Sequence, residues 1–448
     1  MSSVRFEIRK LTGLATPIAI TQLATMLLWT IDFLMVGQID VHALNAVSLG
    51  RLFVIGTAIC AMGLIYGQDA IAAQAHGARN RQRLGGVLLH SLVLSIAVSV
   101  PLGALWLATG PILRFFGQDP TAAALAHDYV VAQIPSLPFF LMFVALKQYL
   151  QARGIVRPEM WIAIGANIVH AFLNWVFIFG NLGAPKLGVV GAGFATAISE
   201  VLMFAAMLVA FRIYRLQRGS VTILAPSRVR WREIAEILRL GLPLAAMLSL
   251  EYWAFAISTL WAGWLGSEEL AAHSIALNLA SISYMVPLGI GLAATTRVGN
   301  LIGGGEPRAA QRAAWVALAM GAAGMSLFAL FFVTGRHWIP TWYTLDPAVL
   351  ALTAALLPIA AAFELFDGLQ AVGGGILRGM GRTRPAAAFN LIGYYVLGLP
   401  IAWWLGAPDR LGLAGIWWGL AAGLFVVAIL AVFWVGKYGP KTARALVH

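Results

Sequence analysis

The feature that most constrains this chain is a series of charge-poor apolar windows of 20 or more residues along its whole length. A bilayer core of about 30 Å is crossed by roughly 20 helical residues, so each window is long enough to span it. Only 11% of the residues are charged, against about 25% in soluble domains. The pattern predicts an all-α integral membrane protein with twelve transmembrane helices, at 13–37, 44–68, 85–109, 122–149, 159–180, 187–211, 240–265, 270–296, 310–334, 348–375, 386–405 and 412–436.

The basic residues are distributed unevenly between the loops. With a cytoplasmic N-terminus, all but six of the 30 Lys and Arg residues fall on the cytoplasmic side of the predicted helices. The exceptions are Arg114, Lys186, Arg336 and Arg410 on the outer side, with Arg51 and Lys147 near helix ends. This asymmetry is the positive-inside pattern, which predicts that both termini are cytoplasmic. The net charge of +12 therefore indicates orientation in a cell (inner) membrane rather than a nucleic-acid partner.

An internal repeat relates the two halves of the chain. At a shift of 226 residues the halves share prolines and glycines: Pro17 matches Pro243, Gly63 matches Gly289 and Gly77 matches Gly303. Each half holds six predicted crossings, an even number, so both halves enter the membrane in the same orientation. We predict two pseudo-symmetric six-helix lobes, 1–211 and 237–448, related by an axis along the membrane normal as in many secondary transporters. The Arg-rich segment 212–236 is predicted to be a cytoplasmic linker.

Six carboxylates interrupt the apolar windows: Asp32, Asp69, Glu200, Glu251, Glu364 and Asp367. A charge at membrane depth costs a few kcal/mol, so such residues are candidates for a functional site. Counted from cytoplasmic arginines at about 1.5 Å per residue, Glu251 and Asp367 reach a similar depth near the midplane, in the second half of the chain. Asp32 is a single acid in the first half. The alternative is that these acids are protonated and hydrogen-bonded between helices.

Helical spacing places further polar and aromatic residues on the same faces as these acids. The predicted faces are Gln22, Thr25, Trp29 and Asp32; Glu251, Phe255 and Ser258; and Phe363, Glu364, Asp367, Gln370 and Gly374. Such a mixture suits a cation, because carboxylate, amide and hydroxyl oxygens coordinate it and ring faces attract organic ammonium groups. Taken singly, such aromatic residues are more often packing or membrane-interface residues than ligand contacts.

Several linked segments resemble a known family over essentially the whole chain. They are WTIDFLMVG followed by LNAVSLG, then ELAAHSIALNLASISYMVPLGIG, the loops GARNR and GGGEPR, and LRGMGRTRP. Together they resemble the multidrug and toxic compound extrusion (MATE) family in its NorM-like branch. The resemblance implies two six-helix lobes and export of cationic, amphipathic drugs and dyes in exchange for Na⁺ or H⁺, with no cofactor.

The resemblance also assigns roles to particular residues. It implies that Asp32, Glu251 and Asp367 serve cation coupling, with Glu251 and Asp367 binding Na⁺ if the exchange is sodium-coupled. By family position, supporting contacts to the cation or the drug are expected from Phe255, Tyr284 and Asn174. By helical spacing, they are expected from Gln22, Thr25, Trp29, Ser258, Glu364 and Gln370. Glu364 has no counterpart in the family pattern, and the roles of Glu364, Glu200 and Asp69 stay open, as does the choice between proton relay and drug contact for Asp32.

A transport mechanism follows from the charges. Two carboxylates in one low-dielectric pocket repel each other, so the pocket favours binding a proton or a cation. Na⁺ or H⁺ moving inward and a drug moving outward would then exclude each other from the pocket. If the lobes also alternate between an inward and an outward opening, the protein exchanges the drug for the ion. Pro17, Pro243 and Pro287 are candidate bends along that pathway, or passive kinks.

Three other functions, those of a flippase, an enzyme and a channel, are alternatives for this sequence. A lipid-linked oligosaccharide flippase of related architecture would line its cavity with arginines, whereas the intramembrane charges here are acidic. An enzyme is disfavoured because HExxH, GxSxG and Walker GK[ST] motifs are absent, and the single Cys60 excludes an iron–sulfur site. His170 and His273 are predicted to be hydrogen-bonded packing residues. A channel would conduct ohmic current without alternating lobes. We expect a monomer; the substrate and the choice of Na⁺ or H⁺ stay open.

Overall fold

A computed structural model of the chain describes residues 3–216, 218 and 229–446, apart from the side chain of Val41. Within these ranges the chain is helical, with short turns between helices. The α-helices are α1 Val4–Val36, α2 Val41–Ile65, α3 Gln68–Gly77, α4 Arg81–Leu107, α5 Thr109–Phe115, α6 Pro120–Val131, α7 Leu137–Ala152, α8 Arg157–Phe179, α9 Val189–Ile213, α10 Trp231–Leu265, α11 Ser267–Gly303, α12 Pro307–Gly335, α13 Pro347–Gly379, α14 Thr383–Asn390, α15 Leu399–Leu405 and α16 Gly412–Tyr438. A π-helical segment, Leu391–Gly398, joins α14 to α15.

The predicted fold class is confirmed. The described residues contain twelve helical segments long and apolar enough to cross a membrane, so the chain is a multi-pass membrane protein. Three of these segments combine elements that the sequence did not separate: α2 with α3, α6 with α7, and α14 with α15. Pro17, Pro243 and Pro287 lie inside the continuous helices α1, α10 and α11.

Three acids outside the apolar windows are N-caps of helices. Asp40 accepts a hydrogen bond from the Ala43 amide at 2.7 Å, and Asp119 accepts one from the Ala122 amide at 2.8 Å. Asp346 accepts from the amides of the first turn of α13. A capping carboxylate satisfies amides that have no partner within the helix. The short connections between spans are therefore specified by local chemistry.

The predicted linker 212–236 is only partly within the described residues, since 217 and 219–228, Arg228 among them, lie outside. Its last part is helical, because α10 begins at Trp231. Arg83 on α4 forms ion pairs with Glu233 and Glu236 in the first turns of α10. These pairs hold a polar helical extension ahead of the apolar span.

The chain packs into two compact units. Unit 1 comprises residues 1–19, 69–79 and 246–448, and unit 2 comprises 20–68 and 80–245. Helices α1 and α10 each contribute residues to both units. The lobes at 1–211 and 237–448 follow the sequence repeat instead, so their boundaries stay a prediction.

The internal repeat recurs in the helix packing. In unit 1, Gly303 lies against the backbone of Gln74, and Gly77 lies against the backbone of Asn300, with no room for a Cβ at either glycine. Gln74 and Asn300 are themselves related by the shift of 226 residues. Small residues let membrane helices approach closely, so the two matched glycines contribute reciprocal contacts to a single crossing of α3 and α11.

Gly303→Ala tests this close approach. We expect the added methyl group to force α11 away from α3, and to lower the free energy of unfolding by about 1–3 kcal/mol as in other overpacked sites. The measurement is thermal unfolding in detergent. Gly86→Ala is the matched control, because a Cβ on Gly86 in α4 meets no atom within 4 Å. Equal loss of stability in the two variants would contradict the packing argument.

Two buried ion pairs connect elements of unit 1. Glu7 on α1 is 1% exposed and accepts two hydrogen bonds of 2.8 Å from Arg297 on α11. Asp69 on α3 pairs with Arg378 near the end of α13, and both side chains are under 10% exposed. The role of Asp69, left open by the sequence, is therefore consistent with tying α3 to α13.

Arg378→Met tests the second pair. Removing one partner leaves a buried charge without compensation, so we expect a loss of about 3–5 kcal/mol in the free energy of unfolding. Combining it with Asp69→Leu removes both charges, and we expect much of the stability to return. Unfolding of the two single variants and the double variant measures the coupling. Additive effects of the two substitutions would show that the pair contributes nothing of its own.

Candidate functional site

Glu251 is the centre of a polar cluster in unit 1. Its Oε2 accepts hydrogen bonds from Gln370 Nε2 at 2.9 Å and from Asn390 Nδ2 at 3.3 Å. Its Oε1 accepts a longer one, 3.4 Å, from the Tyr284 hydroxyl. Three helical elements besides α10, namely α11, α13 and α14, thus direct neutral donors at one carboxylate. In the described part of the chain, Glu251 forms no ion pair with Lys or Arg.

Asp367 and Glu364 place two further carboxyl groups near Glu251. Asp367 on α13 is 4% exposed and Glu364, one turn earlier, is fully buried. Asp367 interacts electrostatically with both Glu364 and Glu251. Ser283 on α11 interacts with Glu364, although its hydroxyl is directed at the carbonyls of its own helix. Unit 1 therefore concentrates three acids, as the sequence predicted for Glu251 and Asp367.

Aromatic rings surround the acids of unit 1. Phe255, one turn past Glu251, packs edge to face on Phe363 and on Tyr394, with ring centroids 5.9 Å apart in both pairs. Tyr394 is fully buried and interacts electrostatically with Glu251 and Asp367. Ser258 is also buried, but its hydroxyl donates to the Phe255 carbonyl, so the structure does not bring it to the Glu251 carboxylate.

The helix after α13 supplies two residues that the sequence analysis missed. Asn390 ends α14, and Tyr394 lies in the π-helical segment that follows. Asn390 Nδ2 also lies 3.2 Å from the Met247 carbonyl, and the Tyr395 hydroxyl donates to the Leu250 carbonyl at 3.1 Å. These contacts seat the segment on α10 beside Glu251. Single π turns are frequent at functional sites. The one sequence feature that could have indicated this contact is Asn390 itself, an isolated amide side chain at the edge of an apolar window.

A cavity beside Glu251 is lined by polar side chains from several of these helices. Tyr284, Gln370, Asn390 and Arg378 line it with Glu251, and the Arg378 guanidinium pairs with Asp69. Gln370 Oε1 and the Tyr394 hydroxyl are buried and have no hydrogen-bond partner among the described residues. Buried oxygens of this kind, next to carboxylates, can coordinate a cation or accept a proton.

Asp32 is the centre of a second polar cluster, in unit 2. It is 2% exposed, and its Oδ1 accepts a hydrogen bond from Asn174 Nδ2 at 2.6 Å. His170 Nε2 lies 2.7 Å from the same oxygen. Thr196 Oγ1 on α9 donates to the other carboxylate oxygen at 3.2 Å. The predicted Asn174 thus contacts Asp32 directly.

The other predicted residues on the Asp32 face of α1 make separate contacts. Gln22 accepts a hydrogen bond from Lys147 at 3.0 Å, and the Thr25 hydroxyl donates to the Thr21 carbonyl. The Trp29 ring is 37% exposed and lies 5.3 Å from the Arg51 guanidinium. The structure therefore does not gather these three side chains around Asp32.

His170 and Glu200 extend the Asp32 cluster beyond the sequence prediction. The sequence predicted that His170 forms a hydrogen bond but did not predict its contact with Asp32. His170 and Asn174 are four residues apart and share one helix face, and this spacing could have indicated that both side chains reach Asp32. Glu200 interacts electrostatically with Asp32 and His170. Ser136 donates to Glu200 at 2.5 Å.

Comparison with known proteins gives relatives over nearly the whole chain. The probable multidrug resistance protein NorM of Bradyrhizobium diazoefficiens is 35% identical over 424 residues, which cover 94% of this chain and 91% of that protein. The multidrug resistance protein NorM of Burkholderia vietnamiensis is 36% identical over 426 residues, 93% of this chain and 91% of the relative.

A solved structure and a family model agree with these relatives. The crystal structure of the eukaryotic MATE transporter AtDTX14 superposes with a TM-score of 0.90 at 26% identity, covering 98% of this chain and 97% of that one. The family model described as MatE matches residues 17–176 and 243–404, one stretch in each half of the repeat. The chain therefore belongs to the MatE family.

Proposed function

We propose that this protein is a multidrug efflux transporter that exports cationic, amphipathic small molecules in exchange for Na⁺ or H⁺. Its relatives are named multidrug resistance proteins, and a structural neighbour is a MATE transporter. The observation that most supports cation exchange is the environment of Glu251. This buried carboxylate accepts hydrogen bonds from three neutral donors and forms no ion pair with Lys or Arg among the described residues.

The chemistry of unit 1 supports cation binding. A buried charge is expensive unless it is paired and hydrogen-bonded. Hydrogen bonds from Gln370, Asn390 and Tyr284 orient the Glu251 carboxylate without neutralising it. A proton, Na⁺ or an organic cation would supply the missing charge, and the Asp367 carboxylate, which interacts electrostatically with Glu251, and the buried Gln370 Oε1 are further oxygens for it. Phe255 and Tyr394 provide ring faces and edges that would select an organic ammonium group over a hydrated ion.

Exchange requires that one cation displaces the other. We propose that a drug entering from the cytoplasm and a coupling cation entering from outside compete for the carboxylates of unit 1. The lobes predicted at 1–211 and 237–448 would alternate between two openings, and the segment around 212–236 would join them. We place the protein in the inner membrane as a monomer, with both termini in the cytoplasm, on the charge asymmetry of the loops.

Substitution of the two central acids tests the proposal. In proteoliposomes preloaded with a cationic dye or fluoroquinolone, we expect the natural chain to export it under a pH or a Na⁺ gradient. Glu251→Gln and Asp367→Asn remove the negative charge at nearly constant size, so we expect gradient-driven export to fall to the rate of empty liposomes. Asp32→Asn is measured beside them as the unit 2 variant.

Asp409→Asn is the matched control for charge removal, because Asp409 is an exposed acid in the loop before α16. It should export at the rate of the natural chain. The site assignment would be wrong if all three single variants, Asp32→Asn, Glu251→Gln and Asp367→Asn, retained coupled export. Ohmic current through the natural chain in a planar bilayer, without gradient-coupled exchange, would indicate a channel instead.

The flippase alternative is not favoured. A lipid-linked oligosaccharide carries phosphate, which arginines recognise bidentately. The buried clusters of both units are built on carboxylates instead, and the buried Arg378 is engaged by Asp69. The relatives at 35% and 36% identity are named for multidrug resistance.

A further inference from the structure

An arginine-rich segment joins α9 to α10 in unit 2. From Val201 to Arg232 the sequence contains six arginines and no Asp or Glu. Arg228 lies outside the described residues; the other five are all exposed and are termed the arginine patch: Arg212, Arg215, Arg218, Arg230 and Arg232. Among the described residues, no Asp or Glu forms an ion pair with a member of this patch. The patch is therefore a surface of one sign of charge.

The acids nearest in sequence do not neutralise the patch. Glu233 and Glu236 follow it in the first turns of α10, and Arg83 on α4 pairs with both. Counted together with the patch, these groups comprise six arginines and two acids, an excess of four positive charges. A ligand for this surface must therefore be an anion.

The first half of the patch is fixed to the end of α7. Arg153, the residue after α7, donates hydrogen bonds from its guanidinium to the carbonyls of Leu216 and Arg218. The same guanidinium lies 5.2 Å from the centroid of the Tyr149 ring, and Leu216 is buried. Because α7 belongs to an apolar span, these contacts hold residues 212–218 at the end of that span.

The second half of the patch is fixed to α4 through His90. Its Nδ1 lies 2.6 Å from the Gly86 carbonyl oxygen, so this nitrogen carries the proton and donates it. Its Nε2 then accepts a hydrogen bond of 3.0 Å from the Arg230 amide. The imidazole is therefore neutral, and both of its nitrogens are engaged. The backbone at Arg230 is held against the side of α4.

The contact with His90 sets the depth of Arg230 in the membrane. By sequence, Arg230 lies ten residues before the apolar window at 240–265, which is about 15 Å beyond the end of that window along a helix. His90, in contrast, lies five residues inside the apolar window at 85–109. The tertiary contact therefore brings Arg230 back to the boundary of the apolar layer, where lipid headgroups lie.

Both halves of the patch lie on the same side of the membrane. Successive spans alternate in direction, so the start of α4, the end of α7, the end of α9 and the start of α10 all lie there. Exposed aromatic rings accompany the arginines: Tyr214 is 69% exposed and Trp231 is 73% exposed. Trp and Tyr are enriched at the boundary between lipid tails and headgroups. The patch thus has the charge and the flanking rings of a membrane-interface surface.

Phosphate is the anion that suits this surface. A guanidinium binds phosphate oxygens bidentately, and clusters of about four to eight basic residues beside a transmembrane helix are typical of proteins that bind anionic lipids. A soluble phosphate presents the same oxygens. The depth of Arg230 and the exposed rings favour a phosphate that belongs to a lipid.

We propose that the arginine patch is a binding surface for the headgroups of anionic phospholipids, and that Arg153 and His90 are the positioning residues that hold it at headgroup depth. The surface differs from the general charge asymmetry of the loops, because it requires these arginines at these positions rather than a positive net charge. It uses none of the residues of the Glu251 and Asp32 clusters and does not rest on the exchange function.

Lipid retention by the purified chain tests the patch. Native mass spectrometry of the full chain in detergent counts the phosphatidylglycerol molecules bound at increasing lipid concentration. We expect the combined variant Arg212→Gln, Arg230→Gln and Arg232→Gln to weaken phosphatidylglycerol binding by roughly fivefold for each arginine replaced. Binding of the neutral lipid phosphatidylcholine should not change. Because the replaced side chains are exposed, the unfolding temperature should equal that of the natural chain.

The matched control removes the same charge from exposed arginines of unit 1. We expect the combined variant Arg308→Gln, Arg382→Gln and Arg384→Gln to bind phosphatidylglycerol as the natural chain does. Equal weakening in both triple variants would show that net charge alone attracts the lipid, and would overturn the inference. Release of phosphatidylglycerol when inorganic phosphate replaces chloride at constant ionic strength would assign the patch to a soluble anion, and would overturn it as well.

His90→Phe tests the positioning without a change of charge, because the imidazole is neutral. The substitution removes the acceptor of the Arg230 amide, so we expect phosphatidylglycerol affinity to fall by about the fivefold expected for the loss of one arginine. An unchanged affinity would contradict the positioning role of His90.

The outcomes separate this inference from the proposed function, since lipid retention is measured without any ion gradient. Equal phosphatidylglycerol binding by the natural chain and the patch variant would overturn the lipid surface, whether or not the chain exports a cationic dye in vesicles. Absence of dye export by the natural chain would overturn the proposed exchange alone.

Discussion

The structure depends on the cost of placing a carboxylate inside a membrane. A buried acid is costly unless a cation, a proton or a set of donors compensates it, and the described residues show both arginine partners and neutral donors. Glu7 and Asp69 pair with arginines near the ends of their helices. Glu251 has only neutral donors, and Asp32 faces an imidazole. We therefore propose that the acids paired with arginine stabilise the fold and that Glu251 and Asp32 take part in transport.

Helix packing makes these arrangements possible. The matched glycines Gly77 and Gly303 remove side-chain bulk where α3 crosses α11. The π-helical segment Leu391–Gly398 follows Asn390 and contains Tyr394, the residues that complete the Glu251 cluster. Departures from regular α-helix are tolerated in membranes where neighbouring groups satisfy the backbone, and here they lie beside the candidate site.

The two units use related scaffolds for different chemistry. The acids of unit 1 are surrounded by amides, hydroxyls and aromatic rings, an environment that suits an organic cation. Asp32 in unit 2 contacts an imidazole nitrogen, an amide and a hydroxyl, from His170, Asn174 and Thr196. The sequence repeat does not extend to these groups: the position matched to Asp32 at the 226-residue shift is Ser258, whose hydroxyl bonds to its own helix.

The sequence by itself determined the twelve spans, the repeat and which acids lie within the spans, because hydropathy and intramembrane charge follow directly from composition along the chain. It also anticipated that Asn174 and Tyr284 belong with these acids, through the family resemblance. Only the tertiary structure decided which donors meet which acid. Asn390 comes from a helix more than 100 residues after Glu251, and His170 from one equally far from Asp32. Helical periodicity predicts which residues share a face of one helix, so it grouped Trp29 and Gln22 with Asp32. Partners on other helices depend on how the helices cross and rotate against each other, which periodicity does not encode.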